Sequence, residues 1–276
     1  MVHEITDVSF RVDHPVSEPI ITADAQRNKV LAEYFAKEKV VYDSMTNDVN
    51  EFGKASKFWL NLANPDGTIN SAYGHLIWQV PSLGHPDFEE TVTGKGAMRT
   101  PWEWAVHSLK KDIHTRQAVV PFAMPHHYWD GNKDQVCTLH GVFHIRESRL
   151  NLSMVMRSND LVRGLAYDMP WFILLMDRMV EELKPVYPSL TKGHYTHTVH
   201  SAHMYMEDSE KVKRMIGTHS FDGDLKKLTD CSTWNSAFFN ARRSENGLVK
   251  IIQEFVTNSQ HGVYSYHANA TPQDWF

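Results

Sequence analysis

The sequence has little cysteine, little excess charge and no long apolar run, and each shortage excludes a class of protein. Two cysteines, Cys137 and Cys231, among 276 residues exclude a disulfide scaffold. The formal net charge of -5 gives the chain no overall attraction for nucleic acid or for an anionic membrane. The most apolar stretch, which begins at Met169, is interrupted by Asp177 and Arg178 and is too short to span a bilayer.

The sequence also shows no signal peptide and no sign of separate domains. The first ten residues lack the basic start and apolar run of a signal peptide, so we expect a cytoplasmic protein with at least one thiol available for chemistry. Glycine and proline are scattered, and no repeat, linker or low-complexity tract interrupts the chain. We therefore expect one continuous domain over residues 1–276.

Hydrophobic periodicity predicts a mixed α+β fold in which helices pack on a largely buried sheet. The predicted helices are 24–45, Lys54–Leu62, Arg99–Lys111 (with Thr100 as the N-cap) and Pro170–Leu183. The predicted strands are Gln117–Met124, Val136–Ile145, Leu150–Met156 and Tyr195–Tyr205. The polar turn between the second and third of these strands predicts a hairpin.

Cys137 is the candidate nucleophile, near the start of a predicted strand and after a polar loop. A lone cysteine is more often a small buried hydrophobic residue, and the run Arg157 to Asp160 is by itself typical of a solvated turn. If the two strands pair as a hairpin, however, Cys137 and Arg157 lie close together at one end of the sheet. A neighbouring guanidinium is expected to lower the thiol pKa, and arginine beside Ser158 suits phosphate oxygens.

Four separated motifs, taken together, resemble the thymidylate synthase family. They are KFWLNLANPDGTINSAYGHLIW (57–78), Cys137-Thr138, MRSNDLVRGLAYD (156–168) and HSAHMY (200–205). The MRSND run and the Cys-Thr pair are most similar to the phage deoxycytidylate hydroxymethylases of that family. The resemblance covers roughly residues 9–205, and 206–276 match poorly. It implies a thymidylate synthase-like mixed sheet with packed helices, dimerising through the sheet, and the host cytoplasm if a phage encodes the chain.

The resemblance also implies a reaction. The cysteine adds to carbon 6 of a pyrimidine nucleotide, so that carbon 5 can attack the methylene group of 5,10-methylenetetrahydrofolate, a cosubstrate. The implied catalytic residues are Cys137, Asp160, Tyr73 and Glu33. The implied nucleotide-binding residues are Arg157, Ser158, Asp168, His203, Tyr205 and, acting across the interface of a homodimer, Arg116. Trp59 and Asp160 are the implied folate contacts, and no metal, nucleic acid or membrane is expected.

Asp168 bears on the choice of base. Thymidylate synthases carry asparagine at the matching place, where the amide reads uracil, whereas the deoxycytidylate enzymes carry aspartate. A carboxylate accepts from the amino group of cytosine, so we expect dCMP rather than dUMP. The alternative is an ordinary exposed or helix-capping acid before an apolar helix. Similarity favours water addition and a hydroxymethyl product, although no physical argument from the sequence excludes methylation of dCMP or dUMP.

Several positions depart from the family pattern. The family places a proton-handling glutamate three residues before an aromatic pair, but with Tyr34-Phe35 as that pair the strict equivalent is Leu31. Glu33 lies two residues on, about 200° around a helix. Gln117 replaces the second arginine of a phosphate-binding pair. These departures keep open a third reading, a nucleotide-binding relative with reduced catalysis.

Four histidines at a spacing of three invite a metal hypothesis: His194, His197, His200 and His203. Because this spacing alternates between the two faces of a strand, the four cannot converge on one ion. The sequence has neither an H-E-x-x-H helix nor a cysteine pair of zinc-site spacing. We therefore expect no metal.

Overall fold

The computed structural model describes residues 2–81 and 99–216. Within them, six strands form one mixed sheet: β1 (Val2–Val12), β2 (Val119–Pro121), β3 (Thr138–Arg146), β4 (Arg149–Met156), β5 (Asn159–Asp160) and β6 (Thr191–Tyr205). The order across the sheet is β1-β6-β4-β3-β2, and β5 pairs with the far end of β6. The pairs β1–β6, β2–β3 and β3–β4 are antiparallel, whereas β4 and β5 run parallel to β6. The predicted α+β class is confirmed.

The hairpin of β3 and β4 is the element that assembles the site. Glu147 and Ser148 form its two-residue connection, both with positive φ (52° and 56°), the conformation that a twisted two-residue hairpin turn requires. The register pairs Thr138 with Met156 at the open end. The next residues outward, Cys137 and Arg157, therefore face each other, as the sequence predicts.

In the described part of the chain, six helices accompany the sheet: α1 (Ala25–Asp43), α2 (Val49–Ala55), α3 (Tyr73–Trp78), α4 (Pro101–Lys111), α5 (Leu165–Leu183) and α6 (Ser209–Ile216). Asp24 caps α1 by accepting from the backbone N–H of Arg27, and Thr100 caps α4 in a capping box with Glu103. These two predicted helices are confirmed. The prediction of α5 began too late, since the helix starts at Leu165 and continues through Pro170.

The predicted helix Lys54–Leu62 is wrong as one element. The chain forms α2 and then a separate 3-10 helix, Lys57–Asn61, because Ser56 is extended (φ −154°) and its hydroxyl accepts from the N–H of Phe58. The predicted strand 117–124 shortens to β2. The sequence analysis did not identify β1, α3 or α6, which are short or weakly periodic.

The hydrophobic core lies between the sheet and the helices. Helix α5 crosses β4 and β6, and α4 covers β2 and β3. Fully buried aromatic and aliphatic side chains fill this layer, among them Trp171, Phe172, Phe122, Tyr195 and Leu152. None of the helices in the described ranges is both long enough and apolar enough to cross a membrane.

Candidate active site

Cys137 and Arg157 meet at the open end of the hairpin. The Arg157 backbone N–H donates to the Cys137 carbonyl (2.8 Å), and its guanidinium Nη2 lies 3.5 Å from the Cys137 Sγ. The guanidinium is anchored by two carbonyls of the preceding loop, with Nη2 donating to Gln135 (2.6 Å) and Nε to Val136 (3.0 Å). The loop thus holds a fixed positive charge beside a free thiol that is partly exposed.

The thiol pKa differs from the sequence-based expectation. Burial raises the pKa of Cys137 above its ordinary value, and Asp168 and Asp134 raise it further. Arg157 lowers the pKa, as expected, but by less than burial raises it. The predicted direction of the Arg157 effect on the thiol pKa is thus confirmed, but burial outweighs it. The resting cysteine holds its proton, and a base or the bound substrate must promote thiolate formation.

Asp168 lies in the first turn of α5, is partly buried, and acts electrostatically on the Cys137 thiol. Its Oδ2 accepts from Asn159 Nδ2 at 2.7 Å. Burial raises the pKa of Asp168 to about 7; Asn159 opposes the shift and Asp160 adds to it. A carboxyl that titrates near neutrality can both donate and accept hydrogen bonds, so Asp168 is neither an exposed loop acid nor a helix cap.

Glu38 is a second buried carboxyl, which the sequence analysis missed. It lies on α1, where Tyr34 donates to its Oε1 at 3.0 Å, and Tyr34 in turn accepts from Trp59 Nε1 at 3.1 Å. Burial and the charge of Asp168 raise the pKa of Glu38 to about 8. Two carboxyls with raised pKa values, one of which acts on the other, are typical of catalytic pockets.

The position of Glu33 does not match the role that the family resemblance implies for it. It is exposed on the opposite side of α1, and its nearest ionic partner is Lys29, 3.9 Å away. A solvated carboxylate there is outside the pocket that holds Asp168. With Tyr34-Phe35 as the aromatic pair, the strict equivalent of the family glutamate is Leu31; Glu38 stands three residues before Val41-Tyr42, of which only one is aromatic. Helical spacing from Leu31 also puts Glu38 on the buried face.

Tyr73 lies between these carboxyls and the start of β3, which directly follows Cys137. Its hydroxyl accepts from Thr138 Oγ1 at 2.8 Å, and its ring stacks on Tyr42 at 5.3 Å. The charges of Asp168, Cys137 and Glu38 all act on the Tyr73 hydroxyl, whose pKa burial raises well above its ordinary value. The predicted pocket position of Tyr73 is therefore consistent with the structure.

The predicted sugar and phosphate residues lie on the same side of the thiol. Ser158 Oγ is 3.5 Å from His203 Nδ1. Tyr205 is 39% exposed, and the Arg163 guanidinium covers its ring at 4.7 Å. The charge of Cys137 contributes to raising the Tyr205 pKa, behind burial and Asp160. Ser158 and His203 are partly exposed and Tyr205 is exposed, so all three are accessible to a ligand.

Asp160 connects the nucleotide side to α5. Its Oδ1 accepts from the backbone N–H groups of Val162 and Arg163, at 2.7 and 2.8 Å. Its Oδ2 is buried and has no hydrogen-bond partner within the described ranges. Arg163 Nε lies 3.9 Å from this oxygen, an ion pair without a hydrogen bond, so Asp160 Oδ2 can still accept a hydrogen bond from a polar cosubstrate.

Two predicted residues are not brought to the thiol by a single copy of the chain. Arg116 is exposed on the connection between α4 and β2. Trp59 is mostly buried and contacts the site through Tyr34 and Glu38, while its neighbour Phe58 is 59% exposed. Their proposed roles, phosphate contact across an interface for Arg116 and folate contact for Trp59, stay predictions.

The four histidines of β6 do not converge. His197 is buried in the core, where Nδ1 lies 2.7 Å from the Tyr195 hydroxyl, whereas His200 is exposed next to Asp7. Across residues 2–81 and 99–216 no group of three or more histidine, cysteine, aspartate or glutamate side chains is placed to hold a metal ion. Cys231 lies outside those ranges.

Comparison with known proteins agrees with this geometry. The sequence model described as thymidylate synthase matches residues 3–236. The chain belongs to the thymidylate synthase family. A solved thermostable thymidylate synthase A from Bacillus subtilis has the same fold, with a TM-score of 0.59 over 80% of this chain and 73% of that one, at 18% identity.

Curated relatives of this thymidylate synthase family member carry two different activities in their names. Deoxycytidylate 5-hydroxymethyltransferase of Enterobacteria phage T6 is 27% identical over 63% of this chain and 67% of its own length; that of phage T4 is 28% identical over 55% and 57%. Thymidylate synthase of Oenococcus oeni is 22% identical over 74% of this chain and 58% of its own length. The chain thus spans less than two thirds of the latter two relatives.

The raised pKa of Glu38 predicts how stability depends on pH. The ordinary value of 4.5 applies to the unfolded chain and about 8 to the folded chain, so ionisation of Glu38 favours unfolding. The stabilising contribution is complete below 4.5 and is lost as pH rises through 8. Ionisation of Glu38 should lower the free energy of unfolding of the wild type by about 4 kcal/mol between pH 5 and pH 9. In Glu38→Gln, which cannot ionise at this position, we expect that part of the loss to be absent.

Urea unfolding of both proteins at pH 5 and 9, at one protein concentration, measures this difference. Glu33→Gln is the matched control on the same helix and should keep the wild-type pH dependence, because Glu33 is solvated. If Glu38→Gln and Glu33→Gln behaved alike, Glu38 would not be a buried neutral acid.

Proposed function

We propose that this thymidylate synthase family member transfers a one-carbon unit from 5,10-methylenetetrahydrofolate to carbon 5 of dCMP and releases 5-hydroxymethyl-dCMP. The observation that carries the proposal is the buried carboxyl of Asp168, which acts electrostatically on the Cys137 thiol and has a pKa raised to about 7. Family membership supports one-carbon transfer, and the T6 and T4 relatives support cytosine as the base.

Cys137 and Arg157 have separate roles in the proposed reaction. Cys137 Sγ forms a bond to carbon 6, and the displaced pair of the 5,6 double bond makes carbon 5 nucleophilic. Carbon 5 then bonds to the methylene group of the folate as the bond of that group to N10 breaks, and carbon 5 loses its proton to a base. Departure of tetrahydrofolate leaves an exocyclic methylene group, to which water adds as the sulfur leaves carbon 6. Arg157 stabilises the thiolate and suits the nucleotide phosphate.

Glu38 is the residue that we assign to proton transfer. At a pKa of about 8 it holds its proton at neutral pH, yet can release and regain it without a large cost. Trp59 and Tyr34 fix its orientation through a chain of two hydrogen bonds, at 3.1 and 3.0 Å. The role given to Glu33 by alignment thus passes to Glu38.

Tritium release from 5-tritiated dCMP and from 5-tritiated dUMP, each with methylenetetrahydrofolate, tests the function. We expect release from dCMP, little release from dUMP, and no rise in absorbance from dihydrofolate. Glu38→Gln should slow release by about 10²-fold, while Glu33→Gln should not. Absence of release from both nucleotides would refute the enzyme proposal and favour a binding protein. A rise in absorbance would indicate a methylating enzyme.

We also propose a homodimer formed through the outer face of the sheet. Helices α4 and α5 pack on the opposite face, whereas the outer row Arg11, Thr196, Ser153 and Val142 contains no fully buried side chain. Pairing there would cover this row and is the arrangement that would let exposed Arg116 act across the interface. Sedimentation velocity at micromolar concentration should give a dimer, and a monomer would contradict this arrangement.

A further inference from the structure

Asn159 has no role in the reaction as described above, yet it is tightly placed beside Asp168. It lies on β5, where its backbone pairs with Ala202 of β6, and its side chain is 4% exposed. Its Nδ2 donates to Asp168 Oδ2 at 2.7 Å. A buried amide at this distance holds the carboxyl in one orientation.

The neighbouring backbone leaves space for this contact. A Cβ atom at Gly164 would lie 3.0 Å from Asn159 Nδ2 and 3.3 Å from Asp168 Oδ2. Both distances are shorter than ordinary van der Waals contact, so a side chain at Gly164 would push on the hydrogen-bonded pair itself. The glycine at the start of α5 therefore permits the close approach of Asn159 and Asp168.

The direction of the hydrogen bond restricts where Asp168 can carry a proton. An amide N–H only donates, so Oδ2 must accept, and a proton on the carboxyl then belongs on Oδ1. Asn159 Oδ1 is buried without a hydrogen-bond partner in the described ranges, so no recorded contact favours the opposite orientation of the amide. If either oxygen of Asp168 could carry the proton, the carboxyl could pair with cytosine or with uracil. With the proton confined to Oδ1, the carboxyl presents a single arrangement, a donor at Oδ1 and an acceptor at Oδ2.

We propose that Asn159 is a positioning residue that fixes Asp168 Oδ2 as an acceptor and Oδ1 as the proton carrier, and thereby selects cytosine over uracil. The part about the base rests on the proposed function. The part about the carboxyl orientation does not, since it follows from the contact of Asn159 with Asp168.

Asn159→Leu tests the proposal, because leucine has a similar volume and lacks the donor. We expect the ratio of kcat/KM for dCMP to that for dUMP to fall by about 10-fold or more. We also expect the midpoint of the pH profile for dCMP to rise by about 1 pH unit, since the hydrogen bond that stabilised the ionised carboxyl is lost.

A readout that needs no turnover separates this proposal from the proposed function. In protein labelled with ¹³C at aspartate carboxyls, the NMR signal missing from Asp168→Asn identifies Asp168, and its titration should move upward by about 1 pH unit in Asn159→Leu. The matched control is Asn151→Leu, which removes a buried asparagine that accepts a hydrogen bond from the His194 backbone N–H. This change should leave the titration midpoint of Asp168 unchanged.

The outcomes are distinct. An unchanged titration together with an unchanged substrate ratio would overturn the role of Asn159. A shifted titration in a protein that releases tritium from neither nucleotide would uphold the positioning of Asp168 and refute the proposed function. If Asn159→Leu does not fold, Gly164→Ala provides the same test, because its methyl group would displace Asn159 and Asp168 from each other. An upward shift in the titration of Asp168 would then support the proposal, and an unchanged titration would overturn it.

Discussion

Cys137→Ser is expected to abolish tritium release, with a fall of about 10⁴-fold or more. The hydroxyl of serine is a far weaker nucleophile than a thiolate, and its anion is inaccessible near neutral pH. Within residues 2–81 and 99–216 no base lies within bonding distance to compensate: the polar neighbours of the Cys137 Sγ there are the Gln135 carbonyl (3.8 Å) and the Arg157 guanidinium (3.5 Å). Nucleotide binding should persist, because Arg157 and Ser158 are unchanged.

The measurement combines tritium release with equilibrium binding of dCMP and mass spectrometry of the denatured complex. The wild type should carry nucleotide covalently, and Cys137→Ser should not. Cys231→Ser is the matched control for removal of a cysteine and should stay active. Full activity in Cys137→Ser would refute the covalent mechanism, and loss of dCMP binding would show that the change disturbed the pocket rather than the nucleophile.

The position of the nucleophile could be predicted from the sequence because it depends on local rules. Strand alternation and a polar four-residue turn predict the hairpin, and the hairpin alone brings Cys137 opposite Arg157 across a separation of twenty residues. The N-cap at Thr100 and the apolar face of α5 follow from equally local patterns. The fold class, the family and the β3–β4 hairpin could therefore be anticipated before any coordinates.

The electrostatics of the site could not be predicted in the same way. The sequence shows that Arg157 is near Cys137, but not how deeply both are buried, and burial decides the sign of the thiol pKa shift. Glu38 was missed for a related reason. Its importance comes from packing against Tyr34 and from the distant Asp168, 130 residues later in the chain, and no short-range motif records that contact.

Asp168→Asn is expected to reverse the substrate preference. Cytosine offers an acceptor at N3 and a donor at N4, whereas uracil offers a donor at N3 and an acceptor at O4. In the variant, the amide oxygen at the Oδ1 position would accept from N3–H, and the NH2 group at the Oδ2 position would donate to O4. Asn159 would turn its own amide so that its Oδ1, which has no hydrogen-bond partner within the described ranges, accepts the other N–H of that group. A mismatched polar pair in a buried site is strongly rejected, so the ratio of kcat/KM for dCMP to that for dUMP should change by about 10³-fold or more.

Tritium release from the two nucleotides measures this ratio, and the pH profile adds a second signature. The wild type should show a dependence on a group titrating near 7, which is the pKa that burial gives Asp168, and the variant should lack it because an amide does not titrate. Asp177→Asn is the matched control, since Asp177 lies on the same helix but pairs with Lys192 at the surface. If Asp168→Asn kept the wild-type preference, another group would have to distinguish the bases. The buried carboxyl would then serve the cysteine alone, by holding the thiol pKa high until substrate arrives.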